Sequence, residues 1–159
     1  MKMSIKRANS KQLCNTFPEV YERFFRSSEV VTSAPFSFIW FGDHSCYYGA
    51  PVVVSTLPMR VWCGLEPTSD GEVELIDYVE YDRRTNSFSE PVTPDDFVRK
   101  VVTKEVRSFI QKFASKHKVG FKIRLIFELR TSSGYNAMAA ASAALGTALS
   151  LYFNLIKPE

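Results

Sequence analysis

The sequence predicts an α+β domain, a mixed sheet with helices packed on one of its faces, and three observations carry that expectation. Stretches rich in β-branched and aromatic residues fill residues 30–81. A long segment of helical period follows, and then a strand of strict alternation that runs into a helix of small residues. Strands first and helices after, on an incomplete alternation, suit α+β better than a doubly wound parallel sheet. The chain of 159 residues is 45% hydrophobic and 14% aromatic, enough for one domain with a real core.

Taken in order, residues 10–27 place Leu13, Phe17, Val20, Tyr21, Phe24 and Phe25 at helical spacing, with Pro18 near a helix start. They predict one short amphipathic helix inside a helical N-terminal extension over residues 1–29. Residues 30–41, VVTSAPFSFIWF, read as a strand whose proline suits a strand start or a bulge. GDHSCYYGA reads as a loop. Residues 51–57 and 59–65 are two strand candidates divided by Pro58, and 72–81 is a fourth, ending in the turn-like DRRTNS.

Thr93, Pro94, Asp95 and Asp96 form a helix start, with Thr as N-cap, Pro at the first position and acids in the first turn. The helix running to Lys118 presents Phe97, Val101, Val102, Val106, Phe109, Ile110 and Phe113 as its apolar stripe. In the next strand Phe121, Ile123, Leu125, Phe127 and Leu129 alternate with Lys122, Arg124, Glu128 and Arg130, predicting one buried and one wet face.

Charge is nearly balanced, +3 from 20 basic and 17 acidic residues, which supplies no nucleic-acid footprint. Arg99, Lys100, Lys104, Arg107, Lys112 and Lys116 give the long helix a basic face, but Asp95, Asp96 and Glu105 dilute it, so a solvated face is expected. Cys14, Cys46 and Cys63 are odd in number at unrelated spacings, and two histidines make no metal pattern, so a cytoplasmic compartment without disulfide or zinc is expected. The N-terminus lacks the apolar run of a secretory signal. Residues 131–156 carry no charge, yet Ala, Ser, Gly, Thr and Asn dominate them, which fits a close-packed core helix better than a membrane span.

One place has the parts of a phosphate cradle. After the strand, Ser132, Ser133 and Gly134 turn into a helix, where free amides and the positive end of the helix dipole point the same way. Gly134 permits close backbone approach, Ser132 and Ser133 add hydroxyls, and Asn136 is placed to cap the helix or touch a ligand. Alone, this is also how many purely structural turns read.

A second stretch adds to it. SAPFSFIWFGDHSCYYGAPVVVS, residues 33–55, resembles the first motif of the GHMP kinases, the superfamily of galacto-, homoserine, mevalonate and phosphomevalonate kinases. Ser33, Ala34 and Pro35, then Gly42, Asp43 and His44, then Gly49 fall in register with a pattern like SAPGK, an apolar run, GEH and a second glycine. The order of elements then extends the resemblance to the position of the family's GLGSSAA-like nucleotide loop. The resemblance implies the fold of that family's N-terminal domain, shared with a ribosomal-protein domain. It implies ATP at Ser132, Ser133, Gly134, Tyr135, Asn136 and Ala137, a substrate near Ser37, Asp43 and His44, and Mg2+ as cofactor.

The departures are equally specific. Aligned on Gly134, Ala137 and Met138 stand where the family has two serines; neither can ligate a hard cation through a hydroxyl or donate to a phosphate. Phe36 and Ser37 replace the glycine and lysine of the first motif. The family's C-terminal domain, with its catalytic aspartate, is expected to be absent from this chain, so no catalytic residue is assigned. The expected function is the ATP- and substrate-binding half of a kinase acting on a small hydroxylated metabolite, inactive alone and completed by a C-terminal half or a second copy. The alternative is a non-catalytic binding or assembly domain that keeps the fold. Asp43 and His44 read equally as substrate ligands or as residues that hold their loop; Tyr47 and Tyr48 read as half-buried packing, and Cys46 as a small apolar residue.

Overall fold

The structure is a computed structural model that describes residues 9–92, 96–113 and 119–157. The helix start at Thr93, Pro94 and Asp95, Lys116 of the basic face and the expected helix end at Lys118 lie outside the described residues. Element order is α1 (Ser10–Thr16), α2 (Pro18–Arg26), β1 (Val30–Phe41), β2 (Val53–Thr68), β3 (Val73–Asp82), β4 (Ser87–Phe88), α3 (Asp96–Phe113), β5 (Gly120–Phe127) and α4 (Ala137–Tyr152). The strands form one mixed sheet in the order β1-β2-β5-β3-β4. β5 runs antiparallel to β2 and parallel to β3, so α3 is the crossover that lets β5 insert between them.

Two expectations about element breaks are corrected. Residues 10–27 form two helices, because Phe17 precedes Pro18 and leaves helical geometry at φ −127°, ψ 57°. Pro58 does not divide a strand. Between the pairs Pro35↔Arg60 and Ser37↔Thr56, β1 has one residue and β2 has three, so Pro58 lies in a bulge where no ladder donor is required of it.

The sheet is covered on both faces. On one face Val61, Cys63, Leu65, Ile123, Leu125 and Phe127 are buried beneath α3 and α4. Thr32 Oγ1 donates to the Ala144 carbonyl at 2.6 Å, and Ser142 Oγ donates to Glu105 at 2.6 Å, tying α4 to β1 and to α3. The other face carries Trp62, Gly64, Arg124, Ile126 and Glu128, and the N-terminal pair α1 and α2 lies over it. Tyr21 and Phe25 each meet the Trp62 ring edge-on. A Cβ on Gly64 would collide with Ser28 and Phe24, so glycine lets α2 approach the sheet. Helices on one face therefore describes α3 and α4 alone.

Glu128 is the main correction. Expected on a wet face, it is fully buried. Its Oε1 accepts from Tyr21 Oη and Trp62 Nε1, both at 2.8 Å, while Oε2 accepts from the Arg60 amide at 2.6 Å and from Ser10 Oγ. All four of these partners donate, which suits a carboxyl group that accepts at both oxygens. α3 is also rotated from the expected stripe: Val98, Val102 and Val106 are buried, Phe109 is partly buried and Phe113 is exposed.

Three outcomes follow in chemical denaturation. Glu128→Ala strands four donors and should cost about 3–5 kcal/mol. Phe127→Ala, at a fully buried position, should cost about 3 kcal/mol or more, Phe109→Ala clearly less and Phe113→Ala almost nothing. The third concerns pH. Burial pushes the Cys63 thiol from its ordinary 9.0 up to about 12, and burial and then the neighbouring Glu128 push the Tyr21 phenol upward. Both groups keep their protons in the folded chain after the unfolded chain has lost them. The stabilisation from Cys63 is thus complete below about pH 9 and lost as pH rises toward 12; a midpoint that stays flat or rises across that window contradicts this.

Candidate functional site

β5 ends at Phe127, and the chain passes Glu128 and Arg130 into a short 3₁₀ turn, Thr131–Ser133, before α4 begins at Ala137. The turn is anchored on the β3 side. The Thr131 amide donates to Glu80 Oε1 at 2.9 Å, and Arg130 pairs with Asp82 at 3.3 Å. Sequence reasoning missed Glu80 and Asp82, which come near only because β3 pairs in parallel with β5, Glu80 opposite Phe127. Glu128 carried one usable signal: Ile126, an apolar residue at an otherwise polar-facing position of the same strand.

Gly134 takes φ +78°, and Asn136 takes the left-handed conformation at φ 54°, which asparagine tolerates better than most residues. Asn136 is the N-cap of α4 but gives the helix no side-chain cap. Its Nδ2 donates instead to Ser37 Oγ at 3.0 Å, while the Ser37 amide donates to the Tyr135 carbonyl at 3.3 Å. Phe38 and Tyr135 meet ring to ring at 5.8 Å. Two stretches picked separately from the sequence are thus hydrogen-bonded to each other across the fold.

Of the other candidates, Ser132 is exposed and Ala137 buried. Ser133 has its hydroxyl oxygen buried with no hydrogen-bond partner. Asp43 and His44 lie in the exposed loop after β1, and no hydrogen bond or ion pair among the described residues joins them to the turn. That loop is closed by its own backbone bonds, Cys46 to Gly42 and Gly49 to Cys46, both at 3.0 Å, and by the Cys46 thiol on the Asp43 carbonyl. Tyr47 and Tyr48 are not half-buried packing: they are 84% and 92% exposed. Cys46 is exposed as well.

The first amides of α4 have no intrahelical partner, and the residue that ordinarily caps them is turned to β1. With the nearby unpartnered Ser133 hydroxyl, this end of the helix suits an anion. A hard cation is served less well. Among the described residues no group of three or more His, Cys, Asp or Glu side chains stands close enough to hold a metal ion. Nor is any described helix long and apolar enough to cross a membrane.

Known structures share this fold. The galactokinase of Lactococcus lactis, solved with galactose, superposes with a TM-score of 0.59 at 17% identity, over 92% of this chain and 39% of that one. The mevalonate kinase of Methanococcus jannaschii gives 0.57 at 17% identity, over 84% and 43%. The fold is that of a GHMP kinase N-terminal domain. In sequence, the mevalonate kinase of Pyrococcus furiosus is 25% identical over 134 residues, covering 80% of this chain and 40% of that protein. No protein-family model matches the chain. The chain spans about two fifths of the length of the relatives it matches.

The contact between Ser37 and Asn136 can be measured. Single Ser37→Ala and Asn136→Ala proteins and the double variant, compared by urea denaturation, should give a coupling of about 0.5–1.5 kcal/mol, the worth of one part-buried hydrogen bond. Strictly additive losses would mean that the two side chains do not hold each other.

Proposed function

We propose that this chain is the nucleotide- and substrate-facing N-terminal domain of a GHMP-type small-molecule kinase, acting in the cytoplasm. The observation that carries the reading is the uncapped N-terminus of α4, presented by the turn at residues 132–136 and tied to the first-motif strand through Ser37. Its free amides and helix dipole would hold the phosphates of ATP at Ser132, Ser133, Gly134, Tyr135, Asn136 and Ala137. Ser37, Asp43 and His44 would meet the acceptor, a small hydroxylated metabolite. Bound ATP supplies the phosphoryl group, and this chain's residues contribute position and charge stabilisation, which is most of what such transfer needs from a protein. Mg2+ is implied by the family resemblance, but Ala137 and Met138 offer it no side-chain oxygen, so further ligands would have to come from ATP and from a completing C-terminal domain.

The same two residues favour a second reading, a binding or assembly domain that keeps the fold without transferring phosphate. A titration of amide chemical shifts with ATP separates the two. The kinase-domain reading expects weak binding, roughly millimolar or about 4 kcal/mol, seen at residues 132–139. It also expects tighter, magnesium-sensitive binding once Ala137→Ser and Met138→Ser restore the hydroxyls. Mixed with mevalonate, galactose or homoserine, the chain alone should release no ADP above background. If neither the natural chain nor the double variant moves those amides, the turn is only a turn and the assembly reading replaces the kinase one.

A further inference from the structure

α2 does not seal the sheet face it crosses. Beneath it, against β3, β4 and β5, lies a cavity of about 380 Å3, within the ~300–1,000 Å3 of ordinary small-molecule sites. It opens on the face away from α3 and α4, and no residue of the turn before α4 or of the loop after β1 lines it. One end is apolar, walled by Phe17, Val20, Val79, Phe88 and Ile126, with the Phe17 and Phe88 rings edge to face at 5.3 Å. The other end is charged, where Arg23 and Ser27 of α2 stand over Asp77 of β3 and Arg124 of β5.

The charged end owes its make-up to a break in register. β3 pairs Leu75 with Ile123 and then Asp77 with Arg124, so Ile76 is an extra residue. In an unbroken ladder Ile76 would stand opposite Arg124; the bulge puts a carboxylate there instead. The Asp77 side chain is only 23% exposed, yet its contact with Arg124 Nε is a loose 3.7 Å, and no donor among the described residues hydrogen-bonds to it. Arg124 Nη1 donates to Glu66 at 3.1 Å and to the Ser27 carbonyl at 3.4 Å, which leaves Nη2 without a hydrogen bond among the described residues. Arg23 makes no ion pair or side-chain hydrogen bond among them either. Glu19 and Glu90, at the mouth, are exposed and act through water.

These unmatched groups of both signs select the ligand. A fatty or aromatic carboxylate would set its anion beside Asp77, and a simple amine would set its cation beside Arg23 and Arg124. A zwitterion that carries both charges on one carbon gives each an opposite partner. We propose that this cavity binds a free α-amino acid with a large apolar side chain. Its ammonium donates to Asp77, its carboxylate accepts from Arg23 and from Arg124 Nη2, and its side chain fills the space between Phe17, Val20 and Phe88. A residue inside a peptide has lost both charges, so the site takes the free molecule. The proposal does not rest on the kinase reading.

L-Phenylalanine is the probe, titrated into the full chain and followed by amide chemical shifts. It should move residues 23–27, 77–79 and 124–126 and leave residues 132–139 in place. The dissociation constant should be roughly millimolar, as about twelve non-hydrogen atoms give at ordinary ligand efficiency. 3-Phenylpropanoate, which lacks the ammonium, and phenethylamine, which lacks the carboxylate, should each bind about tenfold more weakly or worse. Asp77→Asn and Arg23→Gln should weaken L-phenylalanine to a similar degree. Arg23 is exposed, so its variant reports even if Asp77→Asn disturbs folding, and the two analogues need no variant at all. No saturable shift at those residues up to about 20 mM overturns the proposal. Equal binding of the three compounds overturns it too, since the cavity would then be an apolar crevice indifferent to charge.

Discussion

A carboxyl group sealed inside a protein must have its oxygens satisfied where it stands, and Glu128 meets that demand by joining the N-terminal helices to the centre of the sheet. Its four donors come from α1, α2 and two positions of β2. Meeting them brings the N-terminal helices down onto a face of the sheet that would otherwise be wet, and with them Phe17, Tyr21 and Phe25, which join the aromatic cluster around Trp62 and Phe88. It also fixes where β5 stops. The Arg60 amide bonds the Glu128 side chain and the Arg60 carbonyl takes the Glu128 amide, so the regular β2–β5 ladder closes at Val61 and the chain turns away.

What lies beyond that closing point follows from it. The chain leaves toward the turn before α4, and Arg60, held at the end of the ladder, reaches back to Ser33 with its guanidinium at 2.7 and 3.0 Å. Glu80 and Asp82 hold the turn from one side, and Ser37 meets Asn136 on the other. The N-terminus of α4 is therefore a rigidly placed set of amides, positioned by backbone geometry and uncapped because its asparagine is engaged elsewhere. The β1–β2 ribbon runs past the same point, where among the described residues no third strand pairs with β2.

The secondary structure was largely legible in the residues, because periodicity is local. The alternation from Phe121 to Phe127 and the apolar spacing of Val102 and Val106 marked β5 and α3, and Ser132, Ser133 and Gly134 marked the turn before α4. The order of these elements with the first-motif residues was enough to expect the GHMP-type fold that the comparisons bear out. Breaks were less legible. Pro18 divided a helix and Pro58 did not divide a strand, since a proline's effect depends on whether its missing amide had a partner to lose, and that partner is supplied by another strand.

By itself, then, the sequence determined most of the elements, their order and the place of the glycine turn before α4, all set by interactions between near neighbours. Tertiary structure alone decided which faces are covered. Period-two alternation says that Lys122, Arg124 and Glu128 share a side but not that two helices from the far end of the chain lie over part of it, just as helical spacing could not tell that Phe113 would face water. Ser37 meets Asn136, and Glu80 meets Thr131, across separations of 99 and 51 residues. Contacts at that range exist only once the sheet order is fixed, because closing such loops is unfavourable until the whole core is there to offset it.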